Sequence, residues 1–276
     1  MTALITPPSA GSTARRHVPL PSRTAVFLAI LRRDFVATWR EMGSFLAQVV
    51  IQPVLLLFIF GKVLGDIGYT GSGFGDVLLP GLVAMNAFLG ALQNTALPLV
   101  MDFSFSREIE DRLLSPLPTS LVALEKIVFG TLRGIVAAAV IVPIGLLILP
   151  GVAWPASAWL PALGVTVIGA YLGAAIGMTV GTVVSARRIT VMFTVVLTPL
   201  MFTGATQFPW PALDGMRWFQ IVCAANPLTY LSEAMRAVVV PSVPHIPLLI
   251  CLAVMTAAAA LFTAVGVAGF RRRAQD

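Results

Sequence analysis

The chain has 276 residues, of which 58% are hydrophobic and 11% charged, whereas a soluble domain carries about 25% charged residues. This composition excludes a soluble globular protein and indicates an integral membrane protein, with room for about six helices of ~20 residues. The net charge of +6 is explained by basic residues on one side of the membrane, near anionic lipid headgroups, and does not indicate nucleic-acid binding.

Residues 1–21 are predicted to form a disordered cytoplasmic tail. They are rich in Pro, Ser, Thr and Ala and lack the contiguous apolar region and cleavage site of a signal peptide. Residues 22–42 instead place apolar side chains at helical spacing, among them Phe27, with Arg33 and Arg40 elsewhere on the helix. This pattern predicts an amphipathic helix along the inner leaflet. The alternative is that it extends the first membrane span into the cytosol.

Residues 43–276 are predicted to hold six membrane spans. The apolar windows cover residues 45–64, 77–100, 127–149, 158–184, 189–205 and 246–270. Most arginines and lysines fall on one side of these spans, which places both termini in the cytoplasm. The sixteen arginines and two lysines favour a GC-rich bacterial genome and therefore a bacterial plasma membrane.

Charge is concentrated between the second and third predicted spans. Residues 106–127 hold seven of the chain's 30 charged side chains: Arg107, Glu108, Glu110, Asp111, Arg112, Glu125 and Lys126. Burying such a segment in hydrocarbon is costly. We therefore expect the chain to leave the bilayer, form a short polar helix and re-enter at about Lys126. The segment is predicted to dock another protein.

Glycines recur at every fourth position of the fourth predicted span, at Gly169, Gly173, Gly177 and Gly181. This spacing exposes a strip of backbone that a neighbouring helix can approach closely. Packing within one chain and a subunit interface both fit the pattern.

The polar residues of the spans are mainly amides and hydroxyls, including Gln48 and Gln52 on the first span and Asn86, Gln93 and Asn94 on the second. Such side chains either join helices or line a wetted path. The charged residues Lys62, Asp102 and Arg133 are placed near span ends by the predicted boundaries. Energy for any transport is therefore expected from outside this chain.

Motifs for catalysis and phosphate binding are absent from the sequence. It contains no G-x-x-x-x-G-K-[ST] loop, G-x-S-x-G elbow or H-E-x-x-H helix. Its two cysteines are too few for a metal site. We expect no enzymatic activity, metal or cofactor on this chain.

Residues 207–245, on the outer side, contain too many apolar and aromatic residues for an ordinary loop. Pro227 follows Asn226 at a predicted helix start, and Tyr230 is a ring type enriched at membrane interfaces. Glu233 and Arg236 are spaced to form a same-face pair. We predict two short helices that dip into the outer leaflet and return as a re-entrant plug over an exit.

Together these features resemble the membrane subunit of type-2 ABC exporters, a group that includes daunorubicin-resistance-type drug permeases, nodulation-factor exporters and O-antigen or teichoic-acid permeases. The likeness covers nearly the full chain. It rests on the amphipathic helix before six spans, on SREIEDRLLSPLPTSLVALEKI after the second span, and most specifically on NPLTYLSEAMRAVVV before the last. Drug-type members match the last motif better than polysaccharide-type members. A glycine frequent in the family after the acidic residues is replaced here by the 109–112 run.

The resemblance implies an all-α permease that exports an amphiphilic substrate and pairs with a second permease subunit as a homodimer or heterodimer. The resemblance also implies two copies of a cytoplasmic ATPase subunit, which bind ATP and Mg. The implied coupling helix contains Arg107, Glu108, Glu110, Arg112 and Leu113, and the helix with Phe27, Arg33 and Arg40 flanks the docking groove. The candidate pathway-lining residues are Gln52, Asn86, Thr194, Thr198, Met201 and Phe202.

Two other readings remain open from the sequence. Within the same family, the substrate is alternatively a lipid-linked polysaccharide or glycolipid. Outside it, the chain is alternatively a membrane enzyme, which needs a polar catalytic cluster that the sequence does not show, or an assembly protein without an ATPase partner.

Overall fold

The computed structural model describes residues 23–40, 42–69, 71, 73–103, 118–149, 151–152 and 154–274. Within these residues the regular structure is entirely helical, as the composition predicts. The main α-helices are α1 (Arg23–Arg40), α2 (Met42–Leu56), α3 (Phe74–Met101), α4 (Thr119–Ile148), α5 (Trp159–Val183), α6 (Ile189–Thr203), α7 (Arg217–Ala224), α8 (Pro227–Val239) and α9 (Leu248–Arg273).

Five stretches of the described residues are long and apolar enough to cross a membrane: Gly43–Asp66, Phe74–Met101, Thr119–Ile148, Ala156–Val183 and Leu248–Arg273. They agree closely with five of the six predicted spans. The fifth predicted span corresponds to α6, which has only 15 residues. A helix of that length rises about 22 Å, less than the ~30 Å thickness of the hydrocarbon core. The count of six spans is therefore not confirmed.

α3 is the central helix. Nearly every side chain from Leu78 to Ala96 is buried, because α4, α5 and α8 pack around it. The other spans expose more of their surface. α9 presents Leu249 and Leu261, and α2 presents Ile51 and Leu55, to the outside of the bundle. Exposed apolar side chains in these helices fit a hydrocarbon solvent or another subunit.

The helical backbone continues beyond the end of α2 at Leu56. It continues through a π-helical stretch, Leu57–Val63, and a short turn, Leu64–Asp66. π-Helical turns are rare and are frequent at functional sites. Here the stretch includes Gly61, against which the Leu149 side chain packs.

The start of the third span differs from the prediction. α4 begins at Thr119 and has 30 residues, so Glu125 and Lys126 lie inside this helix, and re-entry into the membrane at about Lys126 stays a prediction. Both side chains are shielded by protein: Glu125 is fully buried and the Lys126 side chain is 11% exposed. The longer helix also places Arg133 near its middle, whereas the sequence placed Arg133 near a span end.

The two ends of the bundle differ in composition. One end, here termed the α1 end, holds α1, Asp102, Lys126 and Arg273. The opposite end, termed the α8 end, holds α7 and α8, the two short helices predicted within residues 207–245. A single-turn helix, Trp210–Leu213, precedes them.

Candidate functional site

A cleft lies between α2, α3 and α6. Its volume is about 250 Å³. The residues that line it are Gln52 from α2, Leu89 and Gln93 from α3, and Phe193, Thr194, Leu197, Thr198 and Met201 from α6. Amides and hydroxyls alternate with apolar and aromatic groups, and no lining residue carries a charge. The cleft can therefore hold a molecule that is largely apolar and forms a few hydrogen bonds.

Four of the six candidate pathway residues meet in this cleft: Gln52, Thr194, Thr198 and Met201. The Gln52 amide contacts the Met201 sulfur, which joins α2 to α6. Gln93 also lines the cleft. The sequence placed Gln93 among the amides of the second span, but only the fold shows that it faces Gln52.

The other two candidates lie elsewhere. Asn86 is 7% exposed, and its Nδ2 donates to the Ala137 carbonyl at 2.7 Å, so this amide joins α3 to α4. Phe202 is exposed on α6 but is not among the residues that line the cleft.

A larger hollow of about 410 Å³ lies between the ends of α2, α3 and α4. It is open, lined by six glycines among thirteen residues, and bordered by an exposed ion pair between Lys62 and Asp66, whose Nζ and Oδ2 atoms are 3.0 Å apart. Exposed pairs of this kind contribute only about 0–1 kcal/mol. We therefore place the candidate pathway in the smaller cleft, where the side chains are held by three packed helices.

The glycine strip of α5 packs against neighbouring helices of the same chain. A Cβ atom at Gly173 would overlap the Phe88 carbonyl of α3, and one at Gly177 would lie 2.5 Å from the Leu92 carbonyl oxygen. Gly181 faces Leu99, and Gly169 faces the Leu231 side chain of α8. Of the two sequence interpretations, the geometry matches packing within one chain.

The N-P-L-T-Y motif ties α8 to the end of α6. Asn226 Oδ1 accepts from the Leu228 backbone N–H at 2.9 Å and thereby caps α8, as predicted. Its Nδ2 donates to the Leu200 carbonyl at 2.8 Å and to the Thr203 hydroxyl at 2.9 Å. Pro227 begins the helix, where it loses no helical hydrogen bond.

Two further residues of the motif fasten the same turn. The Thr229 hydroxyl donates to the Cys223 carbonyl at 2.6 Å, and the Tyr230 hydroxyl donates to the Ala224 carbonyl at 2.9 Å. Burial raises the pKa of Tyr230, so this hydroxyl stays protonated as a donor. The motif therefore holds α7 and α8 against the end of α6, and hence near the cleft.

Glu233 and Arg236 form the predicted pair, with Nη1 and Oε1 2.6 Å apart. Both side chains are fully buried. Burial lowers the pKa of Arg236, while the adjacent Glu233 carboxylate opposes that shift. The carboxylate is fully satisfied, since Oε1 also accepts from the Trp210 backbone N–H at 2.9 Å and Oε2 from the Ile246 N–H at 3.0 Å.

The Arg236 guanidinium bonds to three backbone carbonyls. Nη2 donates to Ala205 and, at 2.9 Å, to Thr206, while Nε donates to Val77 at 3.3 Å. The pair thus joins the start of α3, the chain after α6, the Trp210 turn, α8 and the segment before α9. A buried charge is tolerated when its hydrogen bonds are complete, and this pair meets that requirement.

The residues predicted to dock an ATPase, Arg107, Glu108, Glu110, Arg112 and Leu113, lie outside the described residues. Of the predicted interfacial-helix residues, Phe27 is partly buried on α1. Arg33 is exposed, with Nε 4.0 Å from Asp34 Oδ1. Arg40 ends α1, and its side chain is not described.

The α1 end also contains contacts that the sequence did not reveal. Lys126 Nζ lies 3.5 Å from Asp34 Oδ2 and 3.3 Å from Asp102 Oδ2. Arg273 Nη1 donates to carbonyls at the end of α5, and its guanidinium lies 4.7 Å from the Phe103 ring centroid. These partners are distant in sequence, so no local spacing identifies them.

Within the described part of the chain, no cluster of three or more His, Cys, Asp or Glu residues could hold a metal ion. The two cysteines are both buried and unpaired.

Comparison with known proteins shows which membrane proteins this chain is similar to. The model of a family described as "ABC-2 type transporter" matches residues 25–240. The inner membrane transport permease YadH of Escherichia coli (strain K12) is 26% identical over 205 residues, which cover 73% of this chain and 77% of that protein. The putative transport permease ycf38 of Porphyra purpurea is 25% identical over 224 residues, covering 75% of this chain and 72% of that protein. No solved structure matches the chain.

Proposed function

The chain belongs to the ABC-2 type transporter family and is a membrane permease subunit, and from this premise we propose that it exports an uncharged or weakly polar amphiphile through the α2–α3–α6 cleft. The single observation that carries the substrate class is the cleft lining, which combines amides, hydroxyls, Met201 and aromatic or aliphatic groups without a charge. Drugs, antibiotics and lipid-like molecules have this chemistry.

The proposed orientation of the bundle in the membrane follows from the distribution of its basic residues. Exposed Arg32, Arg187, Arg188 and Arg271 lie at or near the α1 end, whereas Lys62 and Arg217 lie toward the α8 end. An excess of basic residues marks the cytoplasmic side. The α1 end then faces the cytoplasm of a bacterial cell, α1 lies along the inner leaflet, and α7 and α8 form a re-entrant segment at the exit.

The proposed assembly contains two permease subunits and two ATP-binding subunits. Polar residues on exposed faces of α2 and α6, namely Gln52, Thr194 and Thr198, are unfavourable toward lipid. A second subunit opposite these faces encloses a path between the two chains, with α6 as the sixth span. ATP and Mg bind to the partner subunits, which dock on residues 104–117.

Transport can be tested in inverted vesicles that contain the permease and its ATP-binding subunit. With Nile red as a neutral fluorescent probe, we expect ATP-dependent accumulation that Thr198→Trp reduces by filling the cleft. Thr256→Trp is the matched control, because Thr256 is exposed on α9 and bonds only to its own helix. Equal accumulation by both variants would contradict the pathway. Accumulation of a lipid-linked glycan without the dye would favour the polysaccharide alternative.

Energy coupling has a separate test. The purified chain alone should hydrolyse no ATP, and Glu108→Lys or Arg112→Glu should uncouple hydrolysis from transport without loss of membrane insertion, because surface charges act at docking interfaces. Vanadate-sensitive ATP hydrolysis by the isolated chain would refute the proposal that only the partner subunit hydrolyses ATP. Normal export by both charge variants would refute the docking assignment.

A further inference from the structure

Lys126 joins three elements that are distant in sequence. Its ammonium on α4 contacts Asp34 of α1 and Asp102, the residue that follows α3, at 3.5 and 3.3 Å. The three side chains are only 10–12% exposed. Ion pairs shielded from water are screened far less by salt than exposed pairs, so this contact depends less on ionic strength than a surface pair.

α1 also packs against the bundle through apolar side chains. Ile30 and Val26, about one and two turns before Asp34, pack partly against the core. The opposite face exposes Leu28, which is 60% accessible. Asp34 therefore adds an ionic contact on the packed face of α1, and Lys126 is a partner in that contact.

A second cation, Arg273 of α9, contacts both the end of α5 and Phe103, which lies just after α3. Arg273 Nη1 donates to the carbonyls of Gly181, Thr182 and Val184 at 3.0, 3.1 and 3.0 Å. Its guanidinium also lies over Phe103, which contacts Phe270 with 5.5 Å between ring centroids. Since Asp102 and Phe103 are consecutive, a displacement of this end of α3 is transmitted to α1 through Lys126 and to α9 through Arg273.

We infer that Lys126 is a positioning residue for energy coupling: it makes α1 move together with the adjoining ends of α3 and α4 when the ATP-binding subunits close. This inference rests on the proposed function, because those ends flank residues 104–117, where the ATPase is proposed to dock. Lys126 contacts neither substrate nor nucleotide in this role. Its effect passes through Asp34 and Asp102.

The test places a fluorescent label on α1 and follows it through the ATPase cycle. In the complex with the ATP-binding subunit, Leu28→Cys carries an environment-sensitive dye, and ATP with vanadate traps the closed state. We expect Lys126→Met to reduce the dye response by roughly fivefold or more, the lower end of typical coupling between sites. Hydrolysis and co-purification of the ATP-binding subunit should persist, and Lys126→Arg should restore the response.

The chain contains a matched control in Lys62, its only other lysine. Lys62→Met removes an exposed ion pair with Asp66 and should leave the response unchanged. If Lys126→Met does not fold, Asp34→Asn keeps the shape of α1 while removing one charge, and it should reduce the response with an unchanged thermal midpoint.

The outcomes separate the two proposals. Absence of co-purification and of hydrolysis in the unsubstituted complex would contradict the proposed function. Co-purification with a dye response that neither Lys126→Met nor Asp34→Asn changes would overturn the role of Lys126. A loss of response that merely follows a fall in thermal stability, and that Lys126→Arg does not restore, would also overturn it.

Discussion

Glu233 and Arg236 are charged side chains without solvent contact. Each stabilises the buried charge of the other through their ion pair. Their spacing along one helix made the pair predictable, as did the position of Asn226 immediately before Pro227. The backbone partners of Arg236 were not predictable, because Val77 and Ala205 come from distant segments. The same reason explains why the sequence missed the contacts of Lys126 with Asp34 and Asp102.

Glu233→Gln should destabilise the protein by about 3–5 kcal/mol, because it leaves Arg236 as an uncompensated buried charge. The double variant Glu233→Gln with Arg236→Met should recover part of this loss, since both charges are removed. Thermal unfolding in detergent measures the effect. Arg217→Met is the control, as Arg217 is exposed and bonds to Gln220 at 3.4 Å. Equal midpoints for Glu233→Gln and Arg217→Met would contradict the proposed dependence.

Cys223 should resist alkylation in the folded protein. It is fully buried, and burial raises the pKa of its thiol, so the reactive thiolate is scarcer at neutral pH than in a free cysteine. A maleimide reagent at pH 7 should label it only after denaturation. Gly215→Cys provides the comparison, because Gly215 is exposed with no atom near its Cβ position. Similar labelling rates at both sites in the native protein would show that α7 is not packed as described.

At the scale of the element, hydrophobic length and glycine spacing predicted most of the helices. The bounds of α3, α5 and α9 lie within a few residues of their predicted windows. α4 begins at Thr119, eight residues before the predicted membrane span that starts at residue 127. The charges of Glu125 and Lys126 were taken to indicate contact with solvent, but both side chains are shielded by neighbouring helices. The sequence of a single helix does not show such shielding.

Gly173→Leu and Gly177→Leu should lower folded yield and thermal stability. Overpacking costs typically ~1–3 kcal/mol, and at these sites the new side chain meets backbone carbonyls of α3 that cannot move independently. Gly164→Leu on the same helix is the control, since no atom lies within 4 Å of its Cβ position. Size-exclusion yield and thermal midpoint measure the result. Stability of the Gly173 and Gly177 variants equal to that of Gly164→Leu would exclude a tight seam.

At the scale of the whole molecule, the exposed faces differ in polarity. The exposed faces of α2 and α6 mix the polar residues Gln52, Thr194 and Thr198 with apolar ones such as Ile51 and Val195, whereas the exposed face of α9 is mainly apolar, with Leu249, Ile250 and Leu261. Composition predicted a membrane bundle, while the orientation that the basic residues favour stays a prediction. Which face meets a second chain could not be predicted, because that depends on how the helices are arranged around α3.

A cysteine at Val195 should cross-link two permease subunits, whereas one at Leu249 should not. Val195 is 64% exposed on α6 and lies beside the polar residues of the cleft, and Leu249 is 79% exposed on α9. Oxidative cross-linking in membranes, read as a dimer band on a denaturing gel, measures the contact. A dimer from the Leu249 variant alone would place the second subunit against α9 and would remove the proposed shared path.

The Glu233–Arg236 pair also orders the steps of biosynthesis. The carboxylate has a partner in the Ile246 backbone N–H, which is synthesised after α8, while the guanidinium needs Val77 from the start of α3. The polar network is therefore incomplete until the segment leading into α9 has emerged from the ribosome. Until then Glu233 Oε2 lacks this donor, whereas the partners of Arg236 precede it in the chain, so we expect insertion of the last helix and closure of the α8 end to form one late event of membrane assembly.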